Sequence, residues 1–504
     1  MPKEFNVTAV CMPEIHYMVN IDERLRKVKA MVDAGKYFTI NRARQYGKTT
    51  TLMALENYLQ GDYYVVSMDF QTMSNENFKN EKTFSTAFAK SFLRILKRQG
   101  LESHENVKEA AALLQGNIND KDGDFTLQEL FENLSDICAA AGKPVVLMID
   151  EVDSATNNQV FLDFLAQLRA GYIRRAAQPA FWSVILAGVY DVKNLKRKIR
   201  SEDEHKINSP WNARESNESS ESLLSFDDCS RNQMVLVPFD VAADFDVDMS
   251  LSKEGIAGML EEYEADYHTG MDIDEMAGRL YDETSGYPFL VSRLCQLMDE
   301  KVSREKGGKA EAWTLDGFEE AEKMLLSEKN TLFESLIGKV INYPELDKML
   351  REHIFNGKGT AYVASNPMID LAAMFGIIKK ANGLAVPANR IFDTLLSDYY
   401  LSMSEMTDVE ICAAAQEDKN SFIDDGRLNM RLVMERFVEH FTDLYGHLGE
   451  KFIEEEGRKY FLLYLKPIIN GTGNYSMEAV TRSQSRTDLM VYYGGEKILI
   501  EAVV

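Results

Sequence analysis

Residues 40–52, "INRARQYGKTTTL", set a glycine–lysine–threonine triplet between an apolar run and a helix-forming run, and this junction constrains the fold more than any other stretch. A strand ("YFTI", 37–40), a polar loop and a helix ("TTTLMALENYLQ") in that order turn backbone amides and a helix N-terminus toward one point, where a phosphate is stabilised. The usual loop, G-x-x-x-x-G-K-[ST], begins with a glycine where this chain has Arg42. That position opens the turn rather than making the closest phosphate approach, so Gly47, Lys48 and Thr49 keep their expected tasks. Lys48 is expected on the β- and γ-phosphates and Thr49 on Mg²⁺, with Thr50 beside them and Arg42 and Arg44 adding positive charge.

A second motif supplies the other half of a site. In "VVLMIDEVD" (145–153) an apolar strand run ends in two acids, Asp150 and Glu151. Carboxylates at the end of a buried strand are costly without a cation or hydrogen-bond donors, and a hydrated Mg²⁺ and an attacking water account for both. Asp150 is then the magnesium ligand and Glu151 the group that polarises the water. Taken singly, each motif reads equally as helix-capping chemistry after an ordinary strand. Together, about a hundred residues apart in one alternating β/α segment, they favour a nucleotide site.

The strand runs 37–40, 63–70, 144–150 and 182–190 are continuously apolar and alternate with amphipathic helical segments, which predicts a parallel sheet covered by helices. Residues 251–330 read as helices only, flanking Ser285-Gly286-Tyr287-Pro288. Residues 331–405 read as helix, short strand, helix and an Asn382-Gly383 hairpin, the layout of a winged helix. From 406 onward the chain ends in "RTDLMVYY" and "KILIEAVV", two strands joined at Gly494-Gly495. At 504 residues the length fits about three domains at roughly 150 residues each.

The stretches "KYFTINRARQYGKTTTL", "VVLMIDEVDS", "ILAGVYDVKNLKRKIR" with "NSPWN", and "DETSGYPFLVSRLC" resemble the bacterial AAA-like ATPases that often carry a PD-(D/E)XK nuclease-like domain at the carboxyl end. The resemblance spans nearly the whole chain, and an arginine before the GK[ST] agrees with Arg42. It implies an α/β P-loop NTPase of AAA or STAND type, with a parallel sheet and a helical lid, using ATP and Mg²⁺. The expected domains are then an ATPase core (1–250), a helical lid (251–330), a winged-helix-like domain (331–405) and an incomplete nuclease-like domain (406–504). AAA-type enzymes also offer roles for Tyr17, against adenine, and for Arg174 and Arg175, as fingers reaching a neighbouring copy's γ-phosphate. Each keeps an alternative: an edge-strand anchor for Tyr17, and cations at a helix C-terminus for the arginines.

In the last segment Glu478, Asp488 and Glu501 have the layout of a nuclease metal site, but Val503 stands where the motif wants a lysine. Without that ammonium, hydrolysis should be severely weakened, so the site reads as degenerate or as a plain β-hairpin. Two lookalikes are set aside. In "NDKDGDFTLQE" the first calcium position falls on Ile118, and Thr126 with Glu129 reads as a capping box. The helix "NPMIDLAAMFG" carries no cation with which to read nucleic acid and is expected to meet protein.

A formal charge of -24 argues against coating nucleic acid, which leaves only local contacts such as the basic cluster 193–200. No apolar run spans a bilayer, the amino terminus lacks a secretion signal, and five scattered cysteines form no zinc or disulfide pattern. A cytoplasmic location is the expectation, with a nucleotide, further copies of the chain and a protein as partners. Three functions follow: an Mg²⁺-dependent ATPase driving movement of the carboxyl-terminal domains, a slow nucleotide-gated switch recruiting a protein, and, more weakly, a DNA-acting effector.

Overall fold

The computed structural model describes residues 3–100, 105–119, 124–156, 158–189, 241–356, 359–405, 409–424, 426–448, 450–469, 473–478, 488–494 and 496–500. The basic cluster 193–200, the serine-rich stretch 215–228, the motif 208–212 and Glu501 lie outside these. The chain divides into two compact units, one of residues 21–43 and 47–249, the other of residues 1–20, 44–46 and 250–504.

The first unit is an α/β layer structure. Its elements are α1 (Asp22–Asp33), β1 (Tyr37–Asn41), α2 (Lys48–Leu59), β2 (Tyr64–Asp69), α3 (Glu81–Arg98), α4 (Glu105–Asn119), α5 (Leu127–Ala140), β3 (Val145–Asp150), α6 (Gln159–Arg174) and β4 (Ser183–Gly188). The strands form one parallel sheet in the order β1-β4-β3-β2, so β4 lies between the loop-bearing strand and the acid-bearing strand. All six residues of β3 and of β4 are buried, as expected of strands covered on both faces. Much of the cover is aromatic: Phe84, Phe88 and Phe92 of α3 and Phe161 and Phe164 of α6 are fully buried in one core. Spacings of three and four residues put these rings on one stripe of each helix. Helix α5 begins at the capping box foreseen at Thr126 and Glu129, the Thr126 hydroxyl accepting the Glu129 amide at 3.2 Å.

The second unit is mainly helical. Helices α7 (Lys253–Tyr267), α8 (Ile273–Thr284), α9 (Pro288–Leu297) and α10 (Leu315–Ser327) precede α11 (Thr331–Asn342) and α12 (Pro344–Asn356). Then come β5 (Thr360–Ala361), α13 (Pro367–Met374), β6 (Ile378–Ala381) and β7 (Leu384–Pro387), the strands forming an antiparallel sheet in the order β5-β7-β6. The β6–β7 turn is the foreseen Asn-Gly, with φ of 50° at Asn382 and 81° at Gly383, both left-handed as such a two-residue hairpin requires. Helices α14 (Arg390–Glu405), α15 (Val409–Asp418), α16 (Met430–Tyr445) and α17 (Glu450–Ile469) lead to an antiparallel sheet of β8 (Gly473–Glu478), β9 (Asp488–Tyr493) and β10 (Glu496–Ile500). The sequence reading found β9 and β10 and missed β8.

The first twenty residues depart from the expected 1–250 core and group with the second unit. Tyr17, 1% exposed, packs on Phe5 and Tyr263, and its hydroxyl donates to Asp266 at 2.6 Å. Trp313 donates its indole N–H to the Tyr263 hydroxyl at 2.9 Å, so the N-terminal segment closes over an aromatic cluster.

Candidate functional site

Lys48 opens α2, and the residue before it, Gly47, sits at φ 76°, a left-handed conformation that a side chain resists. The helix therefore starts with no side-chain cap on its first-turn amides. Lys48 is 6% exposed, and its ammonium donates to the carbonyls of Arg42 and Ala43, both at 3.0 Å. A buried ammonium is tolerable only with such acceptors around it.

The next side chain reaches the acid strand. Thr49 donates its hydroxyl to Asp150 Oδ2 at 2.7 Å, joining the head of α2 to the carboxyl end of β3. Asp150, 8% exposed, also accepts the Glu151 amide on Oδ1 at 2.9 Å. Lys48, Thr49, Asp150 and Glu151 thus share the carboxyl rim of one parallel sheet, the edge at which such sheets bind ligands. Glu151 has φ 51°, which costs a non-glycine residue roughly 1–2 kcal/mol and is held by the turn that follows.

Other expected residues fall elsewhere. Arg42 gives its guanidinium to the carbonyls of Asn41 (2.9 Å) and Val247 (3.0 Å) and lies 5.4 Å from the Phe245 ring centroid, so it works as a strut at the loop's entry. Arg44 is exposed, and the triplet Arg44–Tyr46 groups with the second unit, where the Tyr287 hydroxyl donates to the Arg44 carbonyl and Tyr46 packs on the Tyr287 ring. Thr50 is half-buried in the first turn of α2. Tyr17 has no free ring face, being enclosed by the aromatic cluster of the second unit.

Arg175 lies over the Tyr172 ring and donates to the Gly35 carbonyl, just before β1. Arg174 lines a cleft of about 380 Å³ that also touches Tyr37, Cys138 and Phe181. Tyr37 begins β1 and Phe181 precedes β4, so both arginines stand at the amino-terminal rim, opposite Lys48. At that rim neither bears on this chain's own loop. Glu478 and Asp488 are backbone partners in the register of β8 and β9, while Glu501 lies outside the described residues.

Two groups escaped the sequence reading. Asp153 accepts the Val189 amide at 2.6 Å from the end of β4. Glu283 and Glu322 are buried with Arg279, 3.2 Å from Glu283 and 4.0 Å from Glu322. A third acid in a strand-end motif, or a lone glutamate on a helix, carries no sequence signal for a partner so far along the chain.

Residues 14–191 match the family model described as AAA-like domain, a segment that holds all four strands and the whole candidate site. Among curated proteins none matches the sequence. Among solved structures, the chain is similar to the Walker-type ATPase PABY2304 of Pyrococcus abyssi, at 12% identity and a TM-score of 0.47, covering 78% of this chain and 99% of that one. The Aeropyrum pernix ORC2 protein, solved as ADPNP–ADP complexes, follows at 11% identity, a TM-score of 0.34, and 78% and 97% coverage. The Aeropyrum pernix ORC1 protein in complex with DNA stands at 12%, 0.31, 76% and 93%. At these TM-scores none of the likenesses assigns a ligand or an activity to this chain. Among the described residues, no helix is long and apolar enough to cross a membrane.

Proposed function

We propose that the AAA-like segment binds ATP with Mg²⁺ and hydrolyses it. The observation that carries this reading is the 2.7 Å contact of Thr49 with Asp150, set beside a buried lysine that heads the same helix. A hydroxyl and one carboxylate suit Mg²⁺, a hard cation usually held by one or two carboxylates and its substrate's phosphates. When bound, Mg²⁺ would neutralise charge developing on the phosphates. Lys48 would hold the terminal phosphates, Thr49 and Asp150 the metal, and Glu151 would take a proton from the attacking water.

Hydrolysis is proposed to drive movement of the carboxyl-terminal domains. We read residues 331–405 as winged-helix-like from their helices and Asn-Gly hairpin, with a protein as partner. The sheet of β8, β9 and β10 is read as nuclease-like and inactive, because Val503 replaces the lysine.

Steady-state ATP hydrolysis of the parent chain and of Glu151→Gln tests the reading. Turnover that the substitution abolishes, with nucleotide affinity retained, is the expected result. Binding without turnover in the parent would instead favour the slow switch.

A further inference from the structure

We infer that Asp153 is a positioning residue that fixes Glu151, an inference that rests on the hydrolysis reading and deepens it. The ladder between β3 and β4 runs as far as Ile149 paired with Leu186. Beyond that pair the chain leaves the sheet at left-handed Glu151 and enters a short helical turn, Val152–Ala155. That turn is closed on itself. The Ser154 amide (3.2 Å) and hydroxyl (2.9 Å) both donate to the Glu151 carbonyl, and the Thr156 hydroxyl donates to the Asp153 carbonyl at 2.9 Å.

A turn bonded in this way moves as one piece, and Asp153 fastens it to the neighbouring strand. Its Oδ2 accepts the Val189 amide at 2.6 Å, a charge-assisted bond of well-defined direction. The fit is close on the other side as well: a Cβ on Gly188 would stand 2.8 Å from Asp153 Oδ1 and 2.9 Å from Val152 Cγ2. Val152 and Ala155, the first and last residues of the turn, are fully buried. The strained backbone of Glu151 is therefore held from two residues downstream, by a carboxylate locked against the end of β4. A general base must lie within hydrogen-bond reach of its water, and a displacement of about 1 Å can cost on the order of a hundredfold in rate.

The full-length chain carrying Asp153→Ala, Asp153→Asn or Gly188→Ala tests this, with Glu151→Gln as the reference. Three quantities are measured: steady-state ATP turnover, affinity for a fluorescent ATP analogue, and hydrogen exchange at the end of β4. In Asp153→Ala turnover should fall about 10- to 100-fold while analogue affinity stays within about twofold, and the Val189 amide should exchange faster. Asp153→Asn keeps an oxygen that accepts the same amide and should recover most of the turnover. Gly188→Ala, which crowds the carboxylate from the opposite side, should reproduce the loss, and it decides the matter should Asp153→Ala not fold. Turnover abolished by Glu151→Gln but unchanged in Asp153→Ala and Gly188→Ala overturns the positioning role alone. Affinity lost in step with turnover in all three variants overturns it as well, since Asp153 would then serve the fold. A parent chain without turnover overturns the hydrolysis reading and this inference together.

Discussion

The hydroxyl of Thr49 and the carboxylate of Asp150 meet at 2.7 Å although 101 residues separate them. The contact crosses from the first turn of a helix to the end of a strand, and β4 stands between that strand and the one leading into the helix. Hard oxygen donors brought together beside a buried ammonium form a compact group suited to a triphosphate and its cation.

Removing the ammonium tests that grouping. Lys48→Ala should weaken binding of a fluorescent ATP analogue by at least about tenfold, the loss of a charge-assisted contact of roughly 1.5–3 kcal/mol. Equal affinity in parent and variant would dismiss Lys48 as a phosphate ligand.

Tyr17 should behave as an anchor of the second unit. Tyr17→Phe removes the bond to Asp266 and should destabilise the protein by about 1–2 kcal/mol in chemical denaturation, with analogue affinity unchanged. A large loss of affinity without loss of stability would return the residue to the nucleotide.

Two left-handed glycines of the second unit separate backbone strain from crowding. Gly286 has φ 70° and a Cβ there would lie 2.0 Å from the Leu251 carbonyl oxygen, whereas Gly307 has φ 86° and open space around it. Gly307→Ala should cost about 1 kcal/mol from φ alone. Gly286→Ala should cost several times more, roughly 3 kcal/mol or beyond, because the alanine must displace main chain. Similar melting temperatures for the two variants would contradict this.

Stability should also depend on the acids buried in the second unit. Burial, then the nearby Glu283 charge, raises Glu322 to about 8, with Glu319 acting in the same sense and Arg279 and Arg390 opposing. Burial raises Asp393 to about 7, against Arg390. A carboxyl raised in the folded state keeps a proton that the unfolded chain has released. Its stabilising contribution is therefore full below the unfolded pKa, near 4 for such acids, and is lost as pH climbs through the folded value. The melting temperature of the parent should fall between about pH 5 and 8, and Glu322→Gln should flatten that slope. An unchanged slope in the variant would remove Glu322 as its source.

The local half of this molecule was written in the chain. Four largely apolar runs became the four parallel strands, and the two that are covered on both faces, β3 and β4, need no polar alternation. Gly47-Lys48-Thr49 opened a helix, Thr126 and Glu129 closed a cap, and Asn382-Gly383 made a hairpin, since each depends on neighbours a few residues away. Tertiary structure alone decided what depends on distant partners: Tyr17 was drawn into an aromatic cluster with Tyr263, Arg42 became a strut to Val247, and Asp153 found the Val189 amide. Burial and long-range hydrogen bonds give an isolated residue no periodic signature, so its partner appears only when the sheet and helices are assembled.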